Sequence, residues 1–196
     1  MLSDLEGSTF FNNQINNVPY SGVSVGWGGW PDKVKLPAEP NYSNGNAFTD
    51  NLIYNYMLTL NDGGAIYTNG ITGTSLATGE HITGNLIHNG TATAGHTLYT
   101  DNGASYITIT GNAEYSIGSN AWGSDHTNYT LNNGTDDPLQ IEHNYWPNGP
   151  GNSDSKSVVI EDNTNITSVS QIPASIVSAA GIQSPYTSIL SWTPAP

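Results

Sequence analysis

Apolar and polar residues alternate in short runs along the chain, and each run ends near Gly, Asn or Asp. An alternation with a period of two is typical of β-strands that bury one face. Gly and Asn tolerate a positive φ, so Asn-Asp-Gly-Gly at 61–64 and Asp-Asn-Gly at 101–103 are predicted turns. The pattern therefore predicts an all-β protein, with strands within 22–27, 65–68, 97–100, 106–110 and 157–160.

A five-residue motif repeats: Asn-Leu-Ile-Tyr-Asn at 51–55 returns as Asn-Leu-Ile-His-Asn at 85–89, 34 residues later. A period of roughly 20 to 50 residues is the signature of stacked structural repeats. Weaker copies of the motif begin at Asn13, Asn112 and Asn163. In such a stack we expect the central Ile to point into the core. We expect the corner Asn residues to adopt left-handed backbone and to bond to their equivalents above and below.

Two all-β architectures accommodate these strands. A β-sandwich places hairpins at the tight turns, whereas a parallel β-helix stacks like segments coil over coil. The repeated motif favours the right-handed parallel β-helix, because a sandwich has no reason to reuse the motif at this spacing. We predict solenoid coils over 1–170 and a C-terminal cap and tail over 171–196. Pro173 and Gly181 bracket a predicted short helix, which we expect to cover the last coil.

The composition limits the partners that the protein can bind. Charged residues make up only 10% of the chain, yet the net charge is −13, with three Lys and no Arg. Nucleic acids are excluded on this ground, because neutralising their phosphates requires Lys or Arg. Anionic membranes and polyuronates are disfavoured by the same repulsion. No apolar run approaches the roughly 18 residues that a membrane-spanning helix needs.

Cofactors and cellular location follow from what the chain lacks. Cysteine is absent, which excludes disulfides and thiolate metal sites, and the five His residues have no zinc-binding spacing. We therefore predict no metal and no other cofactor. Five Asn-X-Ser/Thr sequences give slight support to export. We expect an extracellular protein, secreted or on the cell surface, whose signal peptide is not present in this chain.

Several segments are similar to a known superfamily. They are Tyr-Ser-Gly-Val-Ser-Val-Gly-Trp at 20–27, Asn-Asp-Gly-Gly-Ala-Ile-Tyr-Thr at 61–68, Leu-Tyr-Thr-Asp-Asn-Gly-Ala-Ser at 98–105, Asn-Tyr-Trp at 144–146, and Ala-Ala-Gly at 179–181 followed by Pro-Tyr. With these segments the chain resembles the right-handed parallel β-helix proteins of the pectate-lyase-like superfamily, and among them the secreted carbohydrate-active group. The resemblance covers only the last several coils of a typical member. It implies a lyase, a hydrolase, an epimerase or a non-enzyme. It also implies missing upstream coils, or self-association, at the N-terminal end.

A carbohydrate groove is predicted from the columns that stacking creates. Neighbouring coils lie about 4.8 Å apart, so equivalent side chains become vertical neighbours. Aligning Tyr67 with Tyr99 places both rings and Asp101 on the outer face, where they suit a polysaccharide or oligosaccharide. The other predicted substrate-binding residues are Trp27, His96, Trp122, Asp125 and His126. The alternative is that these aromatic rings only shield the outer sheet.

Asp62 and Asp101 are the predicted catalytic pair, because glycoside hydrolysis usually uses two carboxyl groups. A lyase needs cationic groups beside a uronate, and no Lys or Arg lies between residues 35 and 156. A glycoside hydrolase acting on a neutral polysaccharide is therefore favoured over a lyase. Related chains often carry an acid at the position of Asn102. Its absence keeps open a non-catalytic carbohydrate-binding or structural module, including a truncated, inactive enzyme remnant.

Overall fold

The computed structural model describes residues 4–26, 42–91, 96–118, 120–124, 138–149 and 157–191. Its strands form three sheets, named A, B and C here. In spatial order, sheet A contains β1 (Thr9–Phe11), β4 (Ala47–Thr49), β7 (Glu80–Thr83), β10 (Ile107–Thr110), β13 (Leu139–Glu142) and β15 (Val158–Glu161). Sheet B contains β2 (Gln14–Asn16), β5 (Leu52–Tyr54), β8 (Leu86–His88), β11 (Ala113–Tyr115), β14 (Tyr145–Trp146) and β16 (Thr164–Asn165). Sheet C contains β3 (Val23–Val25), β6 (Ile66–Ile71), β9 (His96–Ser105) and β12 (Asn120–Ser124).

The chain visits the three sheets in turn, so a strand pairs with the strand of the same sheet in the next visit. β1 to β11 pair with the strand three later, whereas β13 and β14 pair with the strand two later, because their visits contain no strand of sheet C within the described residues. We call one such visit a tier. Tier 1 is β1 to β3, tier 2 is β4 to β6, tier 3 is β7 to β9, tier 4 is β10 to β12, tier 5 is β13 and β14, and tier 6 is β15 and β16. Every strand pair in the described ranges is parallel. This confirms a mostly β chain of stacked parallel sheets, compatible with a β-helix, and it excludes the hairpins of a sandwich from these ranges.

The repeated motif sets the register of sheet B. Leu52, Ile53 and Tyr54 lie directly beside Leu86, Ile87 and His88, as the 34-residue spacing predicts. The weaker copies that begin at Asn13, Asn112 and Asn163 join the same columns. Inward side chains build the apolar core, and one of its columns in sheet A consists of Phe10, Phe48, Ile82, Ile109 and Ile141.

An asparagine ladder links all six tiers at the corner between sheets A and B. From tier 2 to tier 6, Oδ1 of each ladder Asn accepts hydrogen bonds from the backbone N–H and Nδ2 of the Asn one tier earlier, at 2.9–3.0 Å. Its members are Asn13, Asn51, Asn85, Asn112, Asn144 and Asn163. The predicted left-handed backbone lies elsewhere: it occurs one residue before each ladder position, and at Asn55 and Asn89, which end the two strong copies of the motif. The two Asn residues of the motif thus have different structural roles.

The C-terminal segment runs back along the outside of sheet B. It contains α1 (Ala174–Ala179), within the predicted helix, and two short 3-10 helices at Val169–Gln171 and Tyr186–Ser191. Ile166 and Ile172 belong to one buried cluster with Leu86 and Ala113. Further along, the Gly181 N–H donates to the Asp50 carbonyl at 2.8 Å, and Asn12 Nδ2 donates to the carbonyl of residue 179 at 2.6 Å. We expected a cap over the last coil; these contacts instead carry the segment to tiers 1 and 2. None of the helices in the described residues is long and apolar enough to cross a membrane.

Candidate functional site

Two tyrosines from neighbouring tiers meet on the face of sheet C that points away from the core. Tyr67 pairs with Tyr99 in the strand register, and Ile66 pairs with Leu98. Ile66 and Leu98 belong to the apolar core, so the two tyrosines project from the opposite face. Their ring centroids lie 5.2 Å apart at an interplanar angle of 83°, an edge-to-face contact. The predicted alignment of Tyr67 with Tyr99 is confirmed.

Asp101 is held by the first of these tyrosines. The hydroxyl of Tyr67 donates a hydrogen bond to Asp101 Oδ2 at 2.6 Å, and Asn69 Nδ2 donates to the same hydroxyl at 3.4 Å. Asn69 lies beside Asp101 in the strand register. Only 7% of Asp101 is exposed. The hydrogen bond from Tyr67 favours the charged form of the carboxyl group, whereas burial opposes it.

Asp62 approaches the cluster from the predicted turn before β6. Its φ of +61° is the left-handed conformation that Asp tolerates in tight turns, and its side chain is exposed. The Tyr99 hydroxyl points at Asp62 Oδ1 from 3.5 Å, and the Tyr20 hydroxyl donates to the Asp62 carbonyl at 2.6 Å. The next residue, Gly63, fits closely, because a Cβ there would lie 2.5 Å from the Ser21 hydroxyl and 2.9 Å from the Tyr20 ring. The turn is therefore seated closely on tier 1.

Both acids affect the pKa of Tyr20. Its pKa is raised above its usual value, first by burial and then by the negative charge of Asp62, with a smaller contribution from Asp101. The hydroxyl of Ser21 offsets part of this rise. The two carboxyl groups thus each face the hydroxyl of one ring in a single tyrosine pair. We call Tyr20, Asp62, Tyr67, Tyr99 and Asp101 the carboxylate–tyrosine cluster.

His96 borders the cluster. Its ring centroid lies 5.2 Å from that of Tyr99, again edge to face. The imidazole also covers Gly123, where an added Cβ would come within 2.1 Å of the His96 ring. Gly123 stands beside Tyr99 in the register, so its missing side chain makes room for the histidine. His96 therefore lies beside Tyr99, next to the cluster.

Trp122 does not contribute to this surface. It pairs with Leu98 and not with Tyr99, so it points into the core and is wholly buried. Its indole N–H donates to the Thr100 hydroxyl at 3.2 Å. The expectation that Trp122 extends a substrate-binding surface is corrected accordingly. The other predicted residues Trp27, Asp125 and His126, and the side chain of Asn102, lie outside the described residues.

Three residues in or beside the cluster, Tyr20, Asn69 and Gly123, were not predicted as site residues from the sequence. Tyr20 belongs to the segment that carries the superfamily resemblance, but no pattern marks it as a neighbour of Asp62. Asn69 follows from the predicted register, since it lies one tier before Asp101. Gly123 becomes meaningful only once the His96 ring is seen to cover it.

Two further carboxyl groups are buried inside the fold. Glu80 accepts a hydrogen bond from the Thr68 hydroxyl at 2.6 Å, and burial raises its pKa to about 7 although Thr68 and Asn46 oppose the rise. Burial raises the pKa of Glu114 well above its usual range. The Thr97 hydroxyl offsets only part of that rise, because neither oxygen of Glu114 makes a well-aligned hydrogen bond to a described residue. Both groups are closed off from solvent, so they do not belong to a substrate site.

The described residues contain no group of three or more His, Cys, Asp and Glu side chains placed to hold a metal ion. The chain matches no protein-family model, no curated protein and no solved structure.

Proposed function

We propose that the carboxylate–tyrosine cluster binds a neutral polysaccharide and hydrolyses its glycosidic bonds, with Asp62 and Asp101 as the two carboxyl groups. The observation that carries this proposal is the meeting of the two acids, contributed by neighbouring tiers, on one pair of tyrosines. We further propose that the three sheets are faces of one right-handed parallel β-helix, and that the protein acts outside the cell. The cycle of parallel strands through sheets A, B and C supports this architecture.

The surroundings of the two acids suit different roles. Asp101 accepts the Tyr67 hydrogen bond, and this bond favours the carboxylate needed to activate water or to attack the sugar. Asp62 is exposed at the turn, where it can protonate the oxygen of the leaving sugar. As the glycosidic C–O bond breaks, one proton passes from Asp62 to the leaving oxygen, the oxygen of water bonds to the anomeric carbon, and the proton that this water loses passes to Asp101.

The tyrosines act differently from what the sequence suggested. Tyr67 and Tyr99 are buried and meet edge to face, so their ring faces are not available as a stacking platform for a sugar. Their hydroxyls instead point at the acids, at 2.6 Å from Asp101 and 3.5 Å from Asp62. They position the carboxyl groups, and half-buried Tyr20 offers the more accessible aromatic surface.

A neutral glycan fits the charge of the protein. The net charge is −13, and the cluster itself concentrates two acids and no Lys or Arg. A uronate polymer would bring further carboxylates into this field, and the repulsion lowers both its rate of approach and its affinity.

A second candidate is glycan binding without hydrolysis, which the low exposure of Asp101 favours. At 7% exposure, and with one oxygen bonded to Tyr67, Asp101 has little room for an attacking water. In this alternative Asp62 and Tyr20 bind sugar hydroxyls, and Asp101 serves only to order the tyrosines.

The test is release of reducing sugar from a panel of neutral glucans, mannans, galactans and xylans, together with glycan-array binding. We expect Asp62→Asn and Asp101→Asn each to lower turnover on the order of 100-fold or more without loss of folding. Asp162→Asn is the matched control, since Asp162 is an exposed acid with positive φ in tier 6. Full activity in both cluster variants removes the catalytic assignment. Binding that depends on Asp62, without any sugar release, establishes the non-catalytic alternative.

A further inference from the structure

Tier 1 leaves one edge of every sheet uncovered. β1, β2 and β3 are the terminal strands of sheets A, B and C, and within the described residues no further strand pairs with their outer edges. Their inward residues Phe10, Ile15 and Val23 belong to the apolar core or pack against it. Open parallel edges backed by apolar side chains are templates for another strand.

The same end carries an apolar cavity of about 730 Å³ between tier 1 and the returning C-terminal segment. Its walls include Phe10 and Phe11 on one side and Tyr186 and Ile189 on the other. Phe11 is 62% exposed and Tyr186 is 65% exposed. Large apolar side chains exposed together around a cavity mark an interaction surface.

The asparagine ladder gives the stack a direction. In tiers 2 to 6 the ladder oxygen accepts two hydrogen bonds from the tier before it, but within the described residues nothing donates to Oδ1 of Asn13. At the other end, Asn163 donates through Nδ2 to the Ile141 carbonyl at 2.8 Å, and its backbone N–H has no acceptor among the described residues. One end of the stack thus presents an unused acceptor, and the opposite end presents unused donors.

Tier 6 also exposes apolar side chains at its outer edge. Ile160 continues the core column of Ile141, yet it is 38% exposed, and its neighbour Val159 is 43% exposed. Ile166 and Ile172 belong to a cluster with Leu86 and Ala113 that includes neither Val159 nor Ile160. The two ends are therefore complementary in hydrogen bonding and alike in apolar character.

We propose that the protein self-associates head to tail, with tier 6 of one copy stacked on tier 1 of the next in place of the C-terminal residues 182–184, 186 and 189, which line the cavity there. Sheets A and B and the asparagine ladder then continue across the junction, and Asn163 of one copy donates to Asn13 of the other. Ile160 falls on Phe10 and Glu161 on Phe11, in continuation of the register between tiers 5 and 6. Two tier 1 ends do not join face to face, because their Asn13 oxygens are both acceptors. The contact is heterologous and leaves both outer ends free, so it produces open chains.

Charge sets the conditions under which association occurs. Each copy carries a net charge of −13, and copies in line repel one another. Salt screens this repulsion, with a Debye length of about 10 Å at 0.1 M and about 3 Å at 1 M. Association therefore strengthens from low to high salt, the opposite of an interface held by ion pairs.

Sedimentation velocity on the wild-type chain and on blocked variants tests the proposal. Phe11→Glu places a carboxylate against Glu161 of the next copy, and like charges directly opposite on paired strands destabilise pairing. Ile160→Glu places a carboxylate in the core column, against Phe10 of the next copy. If Ile160→Glu fails to fold, Val159→Glu, at the more exposed neighbouring position, is used in its place. Val177→Glu, at a 47% exposed site on α1, is the matched control.

For the wild type and for the control we expect an average mass that rises with protein concentration, and rises more steeply in 1 M salt. Each blocked variant alone stays monomeric, with its association constant lowered at least 10-fold. An equal mixture of Phe11→Glu and Ile160→Glu forms dimers and nothing larger, because each retains the end that the other has lost. A wild type that stays monomeric at all concentrations and salts overturns the proposal. Dimers of Ile160→Glu alone also overturn it, since they require two tier 1 ends to meet.

Discussion

Replacing Asn85 by Ala tests the asparagine ladder at its most connected point. The Asn85 side chain accepts from the backbone N–H and Nδ2 of Asn51 at 3.0 and 2.9 Å, and donates to Phe48 O and Asn112 Oδ1 at 2.9 Å each. A buried hydrogen bond contributes about 1 kcal/mol net, so the loss of four is expected to lower the free energy of unfolding by about 4 kcal/mol.

Asn13→Ala is the matched control at the open end of the same ladder. It removes the Nδ2 bond to Asn51 Oδ1 at 2.9 Å and a longer one to the Phe11 carbonyl at 3.3 Å. The backbone N–H of residue 13 still donates to Asn51. The expected loss is about 1 kcal/mol, a quarter of that at Asn85.

Urea unfolding followed by circular dichroism, at a protein concentration that keeps the chain monomeric, measures both losses. With a slope near 2 kcal/mol per M, Asn85→Ala shifts the midpoint down by about 2 M and Asn13→Ala by about 0.5 M. Equal shifts in the two variants would refute the ladder as a cooperative support of the stack. A larger loss at Asn13 would refute its direction as well.

Three further predictions concern single side chains. Burial raises the pKa of Glu80 from 4.5 to about 7, so between these pH values the folded state binds a proton that the unfolded state has lost. The free energy of unfolding should therefore fall by roughly 3 kcal/mol between pH 4.5 and 7. Glu80→Gln should remove most of this fall when the urea midpoint is measured against pH. Glu114 lies beside Ile87 in the strand register, and burial raises the pKa of its carboxyl group. Glu114→Leu removes this buried polar group, so it should raise the thermal midpoint of unfolding at pH 8. A lower midpoint would contradict this expectation. Tyr67→Phe should raise the pKa of Asp101 in a carbon-13 NMR titration, because the charged form loses its hydrogen bond. An unchanged titration would contradict the positioning role.

Register was the part of the fold most accessible from the sequence. The strands of the repeated motif bury one face, and a slip of one residue would turn Ile53 and Ile87 outward. Tyr67 and Tyr99 each stand one residue after a core residue in strands of similar pattern, so their pairing followed by the same argument. The position of Asp62 beside this pair depends on the path of a turn. The alternation of apolar and polar residues does not predict that path.

The sequence failed where loop length and burial decide the environment. Trp122 follows Tyr99 by 23 residues, whereas Tyr99 follows Tyr67 by 32, so the unequal spacing could not assign a column to the tryptophan. In the register it falls on Leu98 and enters the core. Glu80 begins an alternating strand and looks like a surface residue, but it pairs with Ile107 and points inward. The path of the C-terminal segment is likewise set by tertiary contacts such as that of Gly181 with Asp50.

The stacking of tiers, on which the candidate site and the ladder both depend, can be tested by a cysteine pair. Thr49 and Thr83 are direct neighbours in tiers 2 and 3, and the natural chain has no Cys to compete. Paired strands lie about 4.8 Å apart, within the range that a disulfide spans, whereas Thr110 lies one strand further, about 9.6 Å from Thr49. On oxidation of the monomer, Thr49→Cys/Thr83→Cys should form an intramolecular disulfide and Thr49→Cys/Thr110→Cys should not. A bridge in the second pair without one in the first would contradict the stacked register.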